Sequence, residues 1–170
     1  MSTQPNQLAP VPEAFRHLVP KHGKSPWQPS RTATARVPDP APVPDTCPVC
    51  SGPVVIAHHT QIYRSGQTYG EWPWAYRCTD CDAMVGMHPF TSIPLGTLAG
   101  AELRRLRTDC KQPFNLLWKH HRMSRIDAYQ ALADHLGIPK AECHFGLFDA
   151  DQCRAARAWA VQQLRTTATA

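Results

Sequence analysis

The stretch CPVCSGPVVIAHHTQIYRSGQTYGEWPWAYRCTDCDA, residues 47–83, decides how this chain folds. It opens on the pair Cys47 and Cys50 and closes on the pair Cys78 and Cys81, each a C-x-x-C. Two such pairs on turns supply the four thiolates that tetrahedral zinc takes, each wrapping the metal in a knuckle whose backbone N–H groups face the sulfurs. Ser51-Gly52 and Asp82-Ala83 follow the pairs, and small or turn-prone residues there let the chain fold back over the metal. The 27 residues from Ser51 to Arg77 exceed the usual spacing of about 15–20 residues but leave room for strands. The competing readings are four buried thiols or one redox C-x-x-C; a redox motif has one pair, not two. Four cysteines also close the coordination sphere. The expected cofactor is therefore one structural Zn2+ that folds the module and does no Lewis-acid chemistry.

Outward from the knuckles the pattern is first β, then α. Pro53-Val-Val-Ile-Ala57 is a β-branched run, and Gln61–Arg64 and Trp72–Arg77 read as strands flanking the turn dipeptides Ser65-Gly66 and Tyr69-Gly70. Trp72, Trp74 and Tyr76 share one strand face, expected to be the surface on which helices pack, and Pro73 predicts an edge strand. Beyond Pro94 a helical stripe runs through Leu98, Leu103, Leu106, Cys110, Phe114 and Leu117, with Pro113 kinking one helix or starting a second. Ser124-Arg-Ile-Asp127 opens a helix that buries Ile126, Tyr129, Leu132, Ala133 and Leu136, and Gly137 and Pro139 stop it. Asp149-Ala-Asp-Gln152 opens a last helix through about Leu164, with Cys153, Ala156, Ala160 and Leu164 inward.

Upstream, residues 1–46 hold ten of the chain's seventeen prolines, and Val37–Pro44 alternates proline with small residues. So many missing backbone donors favour extended polyproline II over a packed core. The expected architecture is α+β: a disordered Pro-rich tail and linker (1–46), a small zinc-ribbon β module (47–95), and three or four α-helices (96–166) packed on it. Residues 47–166 then form one compact domain.

The chain has 170 residues, a formal net charge of +5 and a mean hydropathy of −0.39. No run of 18 apolar residues exists, and the first thirty residues lack an apolar signal core, which excludes a membrane span and predicts a cytoplasmic protein. Seven cysteines is an odd number, unsuited to a fully paired disulfide framework.

Two further constellations stand out. Between Ala101 and Arg125 lie seven cations against Glu102 and Asp109, a local excess of +5. Arg104, Arg107 and Lys111 share a helical face suited to nucleic-acid phosphates, unless that face is simply solvated. His88, Cys143 and His144 are candidates for a second site, either Cys/His metal or catalytic, against the reading of Cys143 as a buried core thiol. No H-E-x-x-H, G-x-S-x-G, phosphate loop or paired-carboxylate motif is present, so the sequence carries no enzyme signature.

The run C-P-V-C, then C-T-D-C-D-A-M-V-G-M-H-P and P-L-G-T-L-A-G-A-E-L-R-R-L-R, resembles a family of bacterial and phage proteins known as a zinc-finger-containing domain. The likeness continues through F-N-L-L-W, M-S-R-I-D-A-Y-Q-A-L-A-D-H-L-G-I and C-H-F-G-L-F-D-A-D-Q-C, over about residues 47–160. It implies the same four zinc ligands, carries no known activity, and marks His88, Trp118 and Cys143-His144 as positions to watch. The leading expectation is a non-enzymatic zinc ribbon that binds DNA, RNA or a nucleic-acid-handling partner. A phage-derived adapter that engages a protein partner through the Pro-rich tail is the first rival; a hydrolase or nuclease using the His/Cys site is the second.

Overall fold

The computed structural model describes residues 10–19, 23–120 and 123–168. In chain order it has a 3-10 turn (Glu13–Leu18), α1 (Arg31–Ala35), β1 (Val54–His58), α2 (His59–Ile62), β2 (Trp74–Cys78) and β3 (Met84–Gly86). There follow α3 (Ala101–His120), α4 (Arg125–Leu136), a second 3-10 turn (Lys140–Glu142) and α5 (Ala150–Ala168). The α+β architecture expected from the sequence is present: a small antiparallel sheet, ordered β1-β2-β3, bears the cysteine pairs and precedes the main helices.

Pairing runs from Val54↔Cys78 to His58↔Trp74 and from Ala75↔Gly86 to Arg77↔Met84, which makes β2 the central strand. The edge position expected from Pro73 is thereby corrected. The strand begins at Trp74, so the proline lies outside the ladder, where its missing N–H costs no strand pairing, and its carbonyl accepts from the His59 N–H at 2.9 Å. Gln61–Arg64 is likewise no strand. His58 accepts from the Thr60 N–H through Nδ1 while the Gln61 side chain accepts from the His58 N–H, and this local cap turns the chain into α2. Gly66 and Gly70 take φ of 65° and 66°, as their turn dipeptides predict.

Two hydrophobic cores result. The ribbon core gathers Trp72, Trp74, Tyr76, Val85, Met87 and Leu98. The helical core gathers Cys110, Phe114, Leu132, Cys143, Phe148 and Ala156 with their neighbours on α3, α4 and α5. The tryptophan face is not where the helices pack. It is covered by the loop after β3, whose Thr91 and Ser92 carbonyls accept from Trp72 Nε1 (3.0 Å) and Tyr76 Oη (2.7 Å), and by the N-terminal segment. Phe15 stacks on Trp27 at 5.1 Å between ring centres, and both meet Trp74 edge-on at 5.6 and 5.4 Å. The described parts of residues 1–46 thus form an arm docked on the ribbon rather than a disordered tail. Three apolar anchors, Phe15, Leu18 and Trp27, outweigh the proline content there. Residues 1–9 and 20–22 of that segment lie outside the described residues.

In the helical part α3 is one helix through Pro113. The Ser124 hydroxyl caps α4 by accepting from the Asp127 N–H, and Gly137 ends it at φ 65°. Ile126, expected inward, is 67% exposed; Ala128, about 200° round the helix, takes the buried position of the first turn. The Asp149–Gln152 box opens α5 reciprocally, at 2.8 and 3.0 Å, with Cys153, Ala156 and Ala160 inward as expected. No helix among the described residues is long and apolar enough to cross a membrane.

The two cores meet at a backbone joint. Gly96, at φ 155°, lies directly against Gly146, a Cβ on either would strike the other strand's carbonyls, and the Thr97 N–H donates to the Gly146 carbonyl at 2.9 Å.

Candidate metal centre and adjoining cavity

The first knuckle closes because the Ser51 N–H donates to the Cys47 carbonyl (2.8 Å) and the Cys47 N–H to the Gly52 carbonyl (2.9 Å), with Ser51 held at φ 61°. The second closes on β2 and β3, where the Cys78 N–H donates to the Ala83 carbonyl at 2.9 Å. Gly52 packs against the Asp80 side chain, so the two knuckles face each other. The ligand atoms of Cys47, Cys50, Cys78 and Cys81 all lie within 4.8 Å of one another. Cys47 Sγ is 3.7 Å from Cys81 Sγ and Cys50 Sγ 3.4 Å from Cys78 Sγ. A tetrahedron with zinc–sulfur distances of about 2.3 Å has edges of about 3.8 Å, so the set fits zinc as it stands. The four residues, as their spacing predicts, can bind one zinc ion.

Charge distribution within the set agrees. Burial raises the Cys78 thiol, but the Asp80 and Cys81 N–H groups and the neighbouring sulfurs outweigh it and bring Cys78 down to about 7. The Gly52 N–H lowers Cys50, yet its bonds with Cys78 and Cys81 push that thiol up to about 12. Four sulfurs in this space cannot all ionise without a cation among them, so metal uptake releases protons. Val49 and Asp80 N–H groups, each 3.4 Å from the sulfur of the preceding cysteine in its knuckle, remain to stabilise the thiolates.

The basic helix divides into two kinds of residue. Arg104 donates through Nη1 to the Ala99 carbonyl (2.6 Å) and the Asp82 carbonyl (2.8 Å). Arg107 donates to the Phe148 carbonyl through Nε and to the Thr97 carbonyl and hydroxyl through its two other nitrogens, all at 2.8 Å. These two guanidinium groups tie the ribbon to the helices. Lys111, on the same face, projects instead into a cavity of about 220 Å³. Around it stand His88 from the loop after β3, Arg125 and Tyr129 from α4, His144 from the loop before α5, and Asp39 from the arm. The structure therefore brings His88 and His144 together, and burial followed by the proximity of His144 lowers the His88 pKa. It does not bring Cys143 with them. That side chain is fully buried in the helical core, where desolvation pushes its thiol up to about 11, unsuited to a thiolate nucleophile. Trp118 packs against the same core and donates from Nε1 to Asn115 at 3.3 Å. Arg125 and Tyr129, which line the cavity and stack at 5.5 Å, were not singled out for function by the sequence. Only the break between α3 and α4, which folds α4 back across Lys111, places them there.

The profile of a family described as a zinc-finger-containing domain matches residues 43–163. The chain belongs to this family. The matched span takes in all four cysteines, the sheet, and α3 and α4 entire. Comparison with curated proteins and with solved structures returns no match.

Proposed function

We propose that this zinc-finger-containing domain is a zinc-stabilised, non-enzymatic module that binds nucleic acid through the outer surface of α3 and the start of α4. The observation that supports this is the set of exposed cations there. Arg105, Lys111, Lys119 and Arg125 are exposed, and among the described residues none has a carboxylate within 4.0 Å, whereas the exposed Arg16 and Arg154 are each paired within their own helical turns. Unneutralised cations spread over two adjoining helices suit a polyanion, whose condensed counterions they release. A shallow groove lined by Thr108, Gln112 and Asn115 adjoins Lys111 and supplies neutral hydrogen-bonding groups beside the charges. In this reading zinc and the arginine ties hold the frame, and Lys111 is the member of the Arg104, Arg107 and Lys111 stripe that meets phosphate. The protein works in the cytoplasm, where its partners are DNA or RNA.

Fluorescence polarisation of the zinc-loaded chain against single- and double-stranded DNA and RNA at two salt concentrations tests this. Affinity is expected to fall steeply with salt. Arg105→Ala with Lys119→Ala should reduce the slope of log K against log salt by about two, about one for each phosphate no longer neutralised. Salt-independent binding, or none, would move the reading to the protein adapter. That rival is supported by the extended Val37–Pro44 segment, whose Val43 is 54% exposed, and it predicts a partner that no longer binds once residues 1–46 are deleted.

A further inference from the structure

We propose that the cavity between the arm, α3 and α4 is a binding site for a phosphate monoester, the 5′-terminal phosphate of a nucleic acid strand. The proposal rests on the nucleic-acid reading above for the identity of the ester, and on the cavity alone for the phosphate.

The lining comes from five separate parts of the chain. Lys111 stands on α3 and Arg125 on the first turn of α4, with Tyr129 one turn further on; His88 follows β3, His144 precedes α5, and Asp39 lies on the arm. Residues this far apart in sequence, four of them able to carry positive charge, converge on about 220 Å³. Phosphodiesters along a strand are met by single exposed cations, and a convergent set is what a compact, doubly charged group needs. Lys111 and Arg125 are permanent charges, and none of Lys111, Arg125, His88 and His144 has an ion-pair partner within 4.0 Å among the described residues. Arg125 lies over the Tyr129 ring, which fixes its stem while leaving its N–H donors for an anion. The floor is backbone: Gly96 and Gly146 line the cavity, and their lack of side chains keeps it open.

Charge balance then assigns the histidines. Asp39 offsets one of the two permanent cations, so with both imidazoles neutral the lining carries a net charge of only +1 against a dianion. Binding a dianion therefore draws protons onto His88 and His144, as an opposite charge nearby favours the imidazolium form. Asp39 sits on the Pro-flanked segment Val37-Pro-Asp-Pro-Ala41 and is the carboxylate that the phosphate must outcompete. Beyond the phosphate, the groove along Thr108, Gln112 and Asn115 leads away beside α3 and gives the attached strand a path out.

The experiment compares binding of one short oligonucleotide bearing a 5′-phosphate with the same strand bearing a 5′-hydroxyl, using the full-length zinc-loaded protein. A companion titration uses inorganic sulfate, which stays dianionic across the pH range, followed through the histidine ring resonances. The 5′-phosphate is expected to tighten binding about tenfold, the effect of one or two charge-assisted hydrogen bonds. Lys111→Ala and Arg125→Ala should abolish that gain, and Arg157→Ala on α5 should leave it intact. Sulfate should shift the His88 and His144 resonances and bind more tightly at pH 5.5 than at pH 7.5, with protons taken up on binding. Equal affinity for the two strand ends would overturn the terminal-phosphate site while leaving the nucleic-acid reading in place. Sulfate binding at the histidines with no oligonucleotide binding would keep the phosphate cavity and overturn the nucleic-acid reading. An absence of any sulfate effect on either histidine overturns the cavity proposal outright.

Discussion

At the level of single residues, chemistry that depends on spacing was visible in the sequence and chemistry that depends on solvent access was not. Four cysteines in two C-x-x-C pairs can do little else than surround a metal, and the fold closes them to within 4.8 Å. Arg104, Arg107 and Lys111 are as regularly spaced, and helical periodicity correctly puts them on one face. Periodicity does not say what that face meets. Two of the three cations are consumed by the carbonyls of Asp82, Thr97, Ala99 and Phe148, which belong to loops the helix packs on. Arg107 is half-buried, and burial lowers its pKa, a sign of a desolvated guanidinium rather than a solvated one. Arg107→Ala should therefore cost about 1–3 kcal/mol in thermal or denaturant unfolding of the zinc-loaded protein, by leaving carbonyl oxygens unsatisfied. Arg107→Lys should recover little of that, because an ammonium cannot reproduce a fork that reaches Phe148 and Thr97 at once. Wild-type stability in Arg107→Ala would show the guanidinium to be a surface charge.

Secondary-structure elements were legible where local signals and tertiary demand agree. The caps at Ser124, Gly137 and Asp149–Gln152 and the strand at Val54–His58 fall where residue chemistry puts them. The departures arise where a competing local interaction or a distant partner decides. His58 and Gln61 cap each other and divert a β-like run into a helical turn, and Pro73 sits one residue outside the ladder it was expected to weaken. The N-terminal segment is the largest case. Proline content argues against regular structure but is silent on docking, and three apolar residues spread over 13 positions carry too weak a period to announce it. Trp27 is the hinge of that docking, since it touches both Phe15 and Trp74. Trp27→Ala should release the arm without emptying the zinc site, because no cysteine lies in the arm. The expected outcome is trypsin cleavage at Arg31 and Arg36 accelerated about tenfold or more, at unchanged zinc content. Removing a large packed aromatic ring is worth well over the roughly 1.4 kcal/mol that a tenfold change requires. Cleavage as slow as wild type would mean that the arm is held by other residues.

For the whole molecule, the division into two cores determines what the metal does. The ribbon core holds Trp72, Trp74 and Tyr76 on a three-stranded sheet whose longest strands have five residues, too little for a sheet to stand alone in water. Cys47 and Cys78 are themselves members of that core, so removing zinc takes away the cross-link and leaves four thiols among apolar side chains. The helical core is different. It buries Phe114, Leu132, Phe145, Phe148 and Trp159 among α3, α4 and α5, with no zinc ligand among them. Chelation should accordingly unfold the ribbon and its arm while the helices keep most of their far-ultraviolet circular dichroism signal. The tryptophans report this directly: Trp27, Trp72 and Trp74 lie in or against the ribbon core and Trp118 and Trp159 in or against the helical one, so emission should shift red in the first set alone. With Trp118→Phe and Trp159→Phe in place, the whole shift should remain. One coupling limits this independence. Arg104 and Arg107 draw their acceptors partly from the ribbon's exit loop, and Gly96 bears on Gly146, so the helices should melt at a lower temperature after chelation even though they survive it. Simultaneous loss of sheet and helix on chelation would show instead that this joint makes the two cores one cooperative unit. The phosphate cavity straddles the joint and would then be lost in the same step, whereas with independent cores it loses His88 first and Lys111 and Arg125 only on heating.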